Sequence, residues 1–167
     1  MFSSTLKGSV KMYLVECKPD AVLVQILTRT SRRNIEHAGN KTELLKRLVK
    51  STDSKGIADE DPWAYQPSLL SRFEETRNQN LATCEIRIYR QRGRNNLLVM
   101  LCPRLEDWIL KAANEANINL QRFGLPNNAE ELHRLINIRT DNFEKLVENI
   151  KDKSDRIKRL KNRLTSA

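Results

Sequence analysis

Short and long apolar runs alternate along the first two thirds of the chain, with polar turns between them. The short runs have the length of buried strands, and the longer stretches repeat apolar residues at helical spacing. Predicted strands cover 11–15, 34–37, 56–58, 84–89 and 97–101. Predicted helices cover 21–27, 43–49, 67–76, 105–116 and 129–136. Because such an alternation favours parallel strands joined by crossover helices, it predicts an α/β fold with a mostly parallel sheet flanked by helices.

The pattern changes from Thr140 onward, where apolar residues recur at heptad spacing. This apolar seam consists of Phe143, Leu146, Ile150, Ile157, Leu160 and Leu164. It predicts one basic helix over 139–167, a C-terminal extension of an α/β domain at 1–116 that the loop and helix at 117–138 complete. The helix either packs on the domain or, through 143–164, forms a coiled coil with a second copy or with a partner protein.

The composition indicates a basic, single-domain protein. The chain has 167 residues, a formal net charge of +9 and an isoelectric point near 9.7. This charge favours a polyanionic partner such as DNA or RNA. The residues expected to contact nucleic acid are Arg32, Arg33, Arg90, Arg92, Lys158 and Arg159. No apolar run approaches the ~20 residues of a membrane span, and 1–11 is too short and polar for a signal peptide, so we expect a cytoplasmic protein without membrane contact.

The cysteines and histidines argue against two common kinds of site. Cys17, Cys84 and Cys102 are odd in number and far apart, which does not fit a disulfide framework. His37 and His133 have no second histidine or cysteine at ligand spacing, so no zinc site is predicted.

Five acidic residues in a basic chain follow the apolar runs closely. They are Glu16, Asp20, Asp59, Asp61 and Glu106. Open α/β sheets bind ligands outside the carboxyl ends of their strands, and carboxylate oxygens are the ligands that Mg²⁺ prefers. An isolated Asp-x-Asp is more often a solvated turn, so the combination of clusters carries the prediction. It predicts a site for one or two divalent ions that acts on a phosphate substrate.

The acidic segments resemble those of the topoisomerase-primase (TOPRIM) domain. Residues 13–20 are similar to its first motif, in which a strand ends in glutamate, and 56–61 are similar to its Asp-x-Asp motif. Residues 34–40 lie where that fold has its second strand and a glycine turn. Within the superfamily, 103–110 resemble the segment after the last core strand in the overcoming-lysogenization-defect (OLD) nuclease group, where a glutamate precedes an aromatic residue and a leucine. The resemblance covers about residues 11–112.

This resemblance implies a small metal-dependent nuclease that cleaves DNA or RNA with Mg²⁺ or Mn²⁺, in prokaryotic antiphage defence or in RNA processing. The implied roles are catalytic metal ligation by Glu16, Asp59 and Asp61, ligation of a second ion by Asp20 and Glu106, and phosphate binding by Lys18 and Arg104. Glu16 is also a candidate general acid or base.

Two departures from the family pattern keep alternatives open. Cys17 stands where most TOPRIM first motifs have glycine, and its side chain narrows the approach of a phosphate. The chain contains no Gly-x-x-x-x-Gly-Lys-Ser/Thr motif, so any ATPase would be a separate regulatory partner. A primase and a catalytically inactive nucleic-acid-binding or assembly module both remain alternatives. A topoisomerase is disfavoured, because this length has no room for a tyrosine-bearing domain.

Overall fold

The computed structural model describes residues 9–166. The expectation about a signal peptide therefore falls mostly on residues 1–8, outside the described part. The strands are β1 (Met12–Val15), β2 (Ile35–His37), β3 (Ser54–Asp59), β4 (Phe73–Thr76), β5 (Ile86–Gln91) and β6 (Leu97–Leu101). They form one sheet in the order β2-β1-β3-β6-β5-β4. The first four strands in this order are parallel, and β5 and β4 are antiparallel to their neighbours.

Helices cover both faces of this sheet, which confirms the predicted α/β class. They are α1 (Lys18–Thr28), α2 (Lys41–Lys50), α3 (Gln79–Thr83), α4 (Leu105–Glu115), α5 (Ala129–Ile136), α6 (Thr140–Ile150) and α7 (Asp155–Thr165). α2 packs on one face, and the other six helices contribute to the larger apolar core on the opposite face. Within residues 9–166, every helix is too short or too polar to span a bilayer.

Strand β6 shows why the central strands are continuously apolar. Leu97, Val99 and Leu101 face the larger core, whereas Leu98 and Met100 face α2. A strand that is covered on both sides buries every side chain, so it needs no polar alternation.

Gly56 lets α2 approach the sheet closely. A Cβ atom built at this position would lie 2.8 Å from Cδ2 of Leu44 and 3.2 Å from Cδ2 of Leu48. A larger residue in the middle of β3 would therefore displace the ends of these leucine side chains.

The predicted helix over 67–76 is wrong. A 3₁₀ turn at Ser68–Arg72 leads into β4, the edge strand that pairs with β5. Phe73 is buried, and Glu75 forms a salt bridge of 2.9 Å with Arg87 of the neighbouring strand. The apolar spacing in this segment fits a helix locally, but pairing with a distant strand overrides local propensity.

The predicted single helix over 139–167 is also wrong, because the chain breaks it at 151–154 into α6 and α7. All six residues of the apolar seam have 0% exposure and belong to the larger core. Both helices pack on α1. The seam therefore packs on the domain itself, and the coiled-coil alternative conflicts with this burial.

The break gives a prediction for Ser154. Its side chain is buried and accepts a hydrogen bond from the backbone N–H of Ile157 at 3.3 Å, as the N-cap of α7. We expect Ser154→Ala to lower the free energy of unfolding by about 1 kcal/mol, because an N-cap acceptor is lost. In a continuous helix the same change would stabilise the protein, since alanine is the better helix former. A lower Tm of Ser154→Ala in thermal unfolding would support the break before α7, and a higher Tm would support a continuous helix.

Candidate functional site

The acidic residues lie at the topological switch point of the sheet. The chain leaves β1 through α1 to reach β2 on one side, and it then passes through α2 to β3 on the other side of β1. Since these two helices cover opposite faces, a crevice opens outside the carboxyl ends of β1 and β3, where open α/β sheets bind ligands. Glu16 follows β1 and Asp59 ends β3, while β6, next to β3, leads to Glu106 in the first turn of α4.

Asp59 is the centre of the acidic cluster. Its pKa is raised to about 9, first by burial and then by the negative charge of its neighbours. The carboxylates that contribute are those of Asp20, Glu106, Glu16 and Asp61. The four other predicted acids thus lie close enough for their charge to act on Asp59, and its surroundings favour a proton or another cation beside it.

Glu16 and Asp20 respond to the same surroundings. Burial, followed by the charge of Asp20, raises the pKa of Glu16 to about 7, whereas Lys41 lowers it. Burial also raises the pKa of Asp20 to about 7, against two hydrogen bonds of 3.3 Å from the backbone N–H and the thiol of Cys17. Burial raises the pKa of the Cys17 thiol as well, so it is a neutral capping group for α1 and not a thiolate nucleophile.

Two carboxylate oxygens of the cluster are buried without a hydrogen-bond partner. They are Oε1 of Glu16 and Oε2 of Glu106, whose residue is only 5% exposed. The other oxygen of Glu106 lies 2.8 Å from Nδ1 of His133. Leaving a buried acceptor unpaired costs about 1–3 kcal/mol, and a bound cation would remove that cost. The donor set of carboxylate oxygens fits Mg²⁺ or Mn²⁺.

Two of the acids also have a structural role as helix caps. Oδ1 of Asp59 accepts a hydrogen bond of 2.9 Å from the backbone N–H of Leu105, at the start of α4. Asp20 closes the first turn of α1 through Cys17. Across residues 9–166, no three His, Cys, Asp or Glu side chains are already arranged as ligands of one metal ion. The caps account for Asp20 and Asp59 without a metal, but the unpaired oxygens of Glu16 and Glu106 have no such explanation.

The turn after β3 is held by residues that sequence reasoning missed. Lys41 is 9% exposed, and its Nζ donates to the carbonyl oxygen of Glu60 at 2.8 Å and to Oε1 of Gln66 at 3.1 Å. The backbone N–H of Asp61 donates to the carbonyl oxygen of Pro103 at 3.0 Å. Nothing in the local pattern distinguishes Lys41 from an exposed lysine, because its partners are about twenty residues away.

Lys18 and Arg32 line one groove along α1 and β2. The groove has a volume of about 350 Å³, and its polar rim also includes His37 at the end of β2. Arg33 is exposed in the same turn. The five acids are not among the residues that line this groove.

Arg104 is not a free phosphate ligand in this structure. Its guanidinium forms salt bridges of 2.9 Å with Asp107 and 3.0 Å with Glu130. Its charge is therefore already balanced within the domain.

The remaining predicted nucleic-acid contacts lie away from the acids. Arg90 pairs with Leu97 at the amino end of β6, and Arg92 follows it, so both are at the opposite edge of the sheet. Lys158 and Arg159 are exposed on α7, where Lys158 lies 4.0 Å from Asp155 of the same helix. Lys18 follows Glu16 by two residues, whereas Arg32 precedes β2 and therefore lies toward the amino edge of the sheet, as Arg90 does.

No family model matches this chain, and neither a curated protein nor a solved structure matches it significantly. The TOPRIM and OLD assignment therefore stays a prediction that rests on the motifs.

Proposed function

We propose that this protein is a metal-dependent nuclease that hydrolyses phosphodiester bonds of DNA or RNA, using Mg²⁺ or Mn²⁺. The observation that carries the proposal is the pair of buried, unpaired carboxylate oxygens on Glu16 and Glu106. They follow the two strands that flank β3, and Asp59 ends β3 between them. The resemblance to the TOPRIM motifs supports the same assignment.

In this proposal Glu16, Asp59 and Asp61 hold one ion, and Asp20 with Glu106 holds a second. A bound Mg²⁺ would neutralise charge on the phosphodiester under attack. Lys18 would bind a phosphate of the same strand from the groove along α1 and β2. His133 would orient the Glu106 carboxylate through its contact of 2.8 Å.

A second candidate function is a catalytically inactive module that binds nucleic acid or assembles with other proteins. The observation that favours it is the Cys17 side chain, which occupies the turn after Glu16 and bonds to Asp20. In this case Asp20 and Asp59 would serve only as helix caps. A partner protein, such as a separate ATPase, would contact exposed polar faces of α6 and α7, because the apolar seam is buried.

The biological setting that we propose follows the resemblance alone. It is a cytoplasmic nuclease in prokaryotic antiphage defence. A separate ATPase that regulates it would bind the exposed polar faces of α6 and α7.

The test is a cleavage assay on single- and double-stranded DNA and RNA with Mg²⁺ or Mn²⁺. We expect Glu16→Gln to reduce cleavage by about 10²-fold or more, because a preorganised charge at the reacting centre contributes a factor of this size. Glu144→Gln, which changes an exposed acid on α6, is the matched control and should cleave normally.

Cleavage that persists in both Glu16→Gln and Asp59→Asn would exclude this site. The inactive module is favoured if no substrate is cleaved and if neither metal raises the Tm of the wild-type protein.

A further inference from the structure

Two exposed aromatic side chains lie on the turn that directly follows Asp61. Trp63 is 66% exposed and Tyr65 is 85% exposed, and among residues 9–166 the one other large apolar side chain on the surface is Ile138. A single exposed apolar residue is ordinary, but here a tryptophan and a tyrosine two positions apart are both exposed to solvent, although burial stabilises most aromatic side chains. Their exposure indicates a ligand.

The turn that carries them is preorganised. Gln66 Nε2 donates to the carbonyl oxygens of Glu60 at 3.1 Å and Asp61 at 2.9 Å. Lys41 holds the same Glu60 carbonyl, and the backbone of Asp61 is tied to Pro103. Because these bonds already order the backbone, a ligand of the aromatic pair loses little affinity to ordering the turn.

Arg104 fixes the orientation of Trp63. The guanidinium carbon lies 5.6 Å from the centroid of the indole ring, a cation–π contact. Asp107 and Glu130 in turn fix the guanidinium through their salt bridges. One side of the indole is thus supported by Arg104, and its large exposed fraction leaves the rest of the ring open to a planar ligand.

We propose that Trp63 and Tyr65 form a stacking platform for unpaired bases, so that the protein binds single-stranded DNA or RNA beside the acidic cluster. The inference rests on the proposed nuclease function, because it identifies the form of nucleic acid that reaches the acids. Aromatic side chains stack on unpaired bases of any sequence, whereas a duplex keeps its bases stacked internally. The net charge of +9 adds attraction to the phosphates.

Tryptophan fluorescence gives a direct test that needs no cleavage. The chain has two tryptophans, and Trp108 has 0% exposure, so changes in emission on binding report on Trp63. In EDTA, we expect a dT₁₅ or rU₁₅ oligonucleotide to quench this emission, and a blunt duplex at equal phosphate concentration to quench it much less.

Affinity for the same probes is then measured by fluorescence anisotropy of a labelled strand. We expect Trp63→Ala and Tyr65→Ala each to weaken single-strand binding by roughly 5- to 100-fold, the range for loss of one stacked base. Ile138→Ala, the exposed apolar residue outside the turn, is the control and should bind normally. All three positions are exposed, so circular dichroism and Tm should be unchanged.

The outcomes separate this inference from the proposed function. Equal binding of single strand and duplex, or unchanged binding by both aromatic variants, overturns the platform even if the protein is a nuclease. If the protein binds neither probe, the platform is also overturned, and a protein is then the favoured ligand of the turn. Single-strand quenching that depends on Trp63, in a protein that never cleaves, supports the platform and removes the nuclease.

Discussion

Asp59→Asn should make the metal-free protein more stable at pH 8 and should abolish its response to Mg²⁺ or Mn²⁺. The amide oxygen of asparagine keeps the hydrogen bond from Leu105, so the cap of α4 survives. At pH 8 the buried Asp59 carboxyl must take up a proton on folding, because burial and the four other carboxylates disfavour its charge, and asparagine needs no proton. We expect a gain of about 1 kcal/mol, or roughly 2–4 °C in Tm, and a loss of cleavage comparable to that of Glu16→Gln. Thermal unfolding with and without metal measures the effect.

The pH dependence gives a second measurement on the same variant. The pKa values of Glu16 and Asp20, each about 7, and of Asp59, about 9, exceed the values near 4 expected in the unfolded chain. The folded state therefore binds more protons between about pH 4 and 9, and the stability of the metal-free protein falls as the pH rises through this window. Asp59→Asn should flatten the part of this decline above pH 7.

Metal ions should reverse the trend, since they compete with the same protons. We expect the metal-induced rise in Tm of the wild-type protein to grow from pH 6 to pH 9. At a metal concentration of 100 Kd, the metal should add about 2.7 kcal/mol to the free energy of unfolding. If Asp59 serves only as a helix cap, the asparagine variant will show the same metal response as the wild type, and the metal site is then wrong.

The positions of the acids are predictable because each depends on a local feature. Apolar runs show where β1 and β3 end, and parallel strands bring their carboxyl ends to one edge of a sheet. The apolar pattern alone therefore predicts that Glu16 and Asp59 lie together. Glu106 is the harder case, because its position depends on β6 pairing with β3 across about forty residues.

The residues that support the acids could not be predicted in this way. His133 contacts Glu106 from a helix 27 residues away, and Lys41 contacts Gln66 across 25 residues. Neither pair has a local pattern, since tertiary packing alone brings the partners together. The predicted nucleic-acid contact at Arg90 rested on charge alone. The charge of a strand residue does not show at which edge of the sheet it lies, and Arg90 lies at the edge opposite the acids.

The two errors in secondary structure have related causes. At 67–76 the apolar spacing suits a helix, but residues 73–76 instead pair with β5 as the edge strand β4. At 151–154 the heptad spacing continues through a turn, because two consecutive helices that pack on the same core keep their apolar sides in one row. Lys153, which stands at the heptad position between Ile150 and Ile157, is the one polar residue at that spacing and lies in the turn.

Lys41→Met should destabilise the protein and enlarge its response to metal, the opposite of the effect of Asp59→Asn. Methionine retains the apolar volume, but Oε1 of Gln66 loses its donor and the carbonyl of Glu60 keeps only the bond from Gln66 Nε2. An unpaired buried acceptor costs about 1–3 kcal/mol, which corresponds to roughly 2–12 °C in Tm. The variant also loses the cation that lowers the pKa of Glu16, so a bound metal ion would relieve more repulsion than in the wild type.

The pH dependence of this variant distinguishes a countercharge from a purely structural lysine. Without Lys41, the pKa of Glu16 should rise above about 7, so the range in which stability falls with pH extends further upward. The Tm difference between wild type and Lys41→Met should therefore widen from pH 7 to pH 9. Lys46→Met, at an exposed position of the same helix, is the control. A constant difference across this range would mean that Lys41 supports the turn through its hydrogen bonds alone and does not balance the acids.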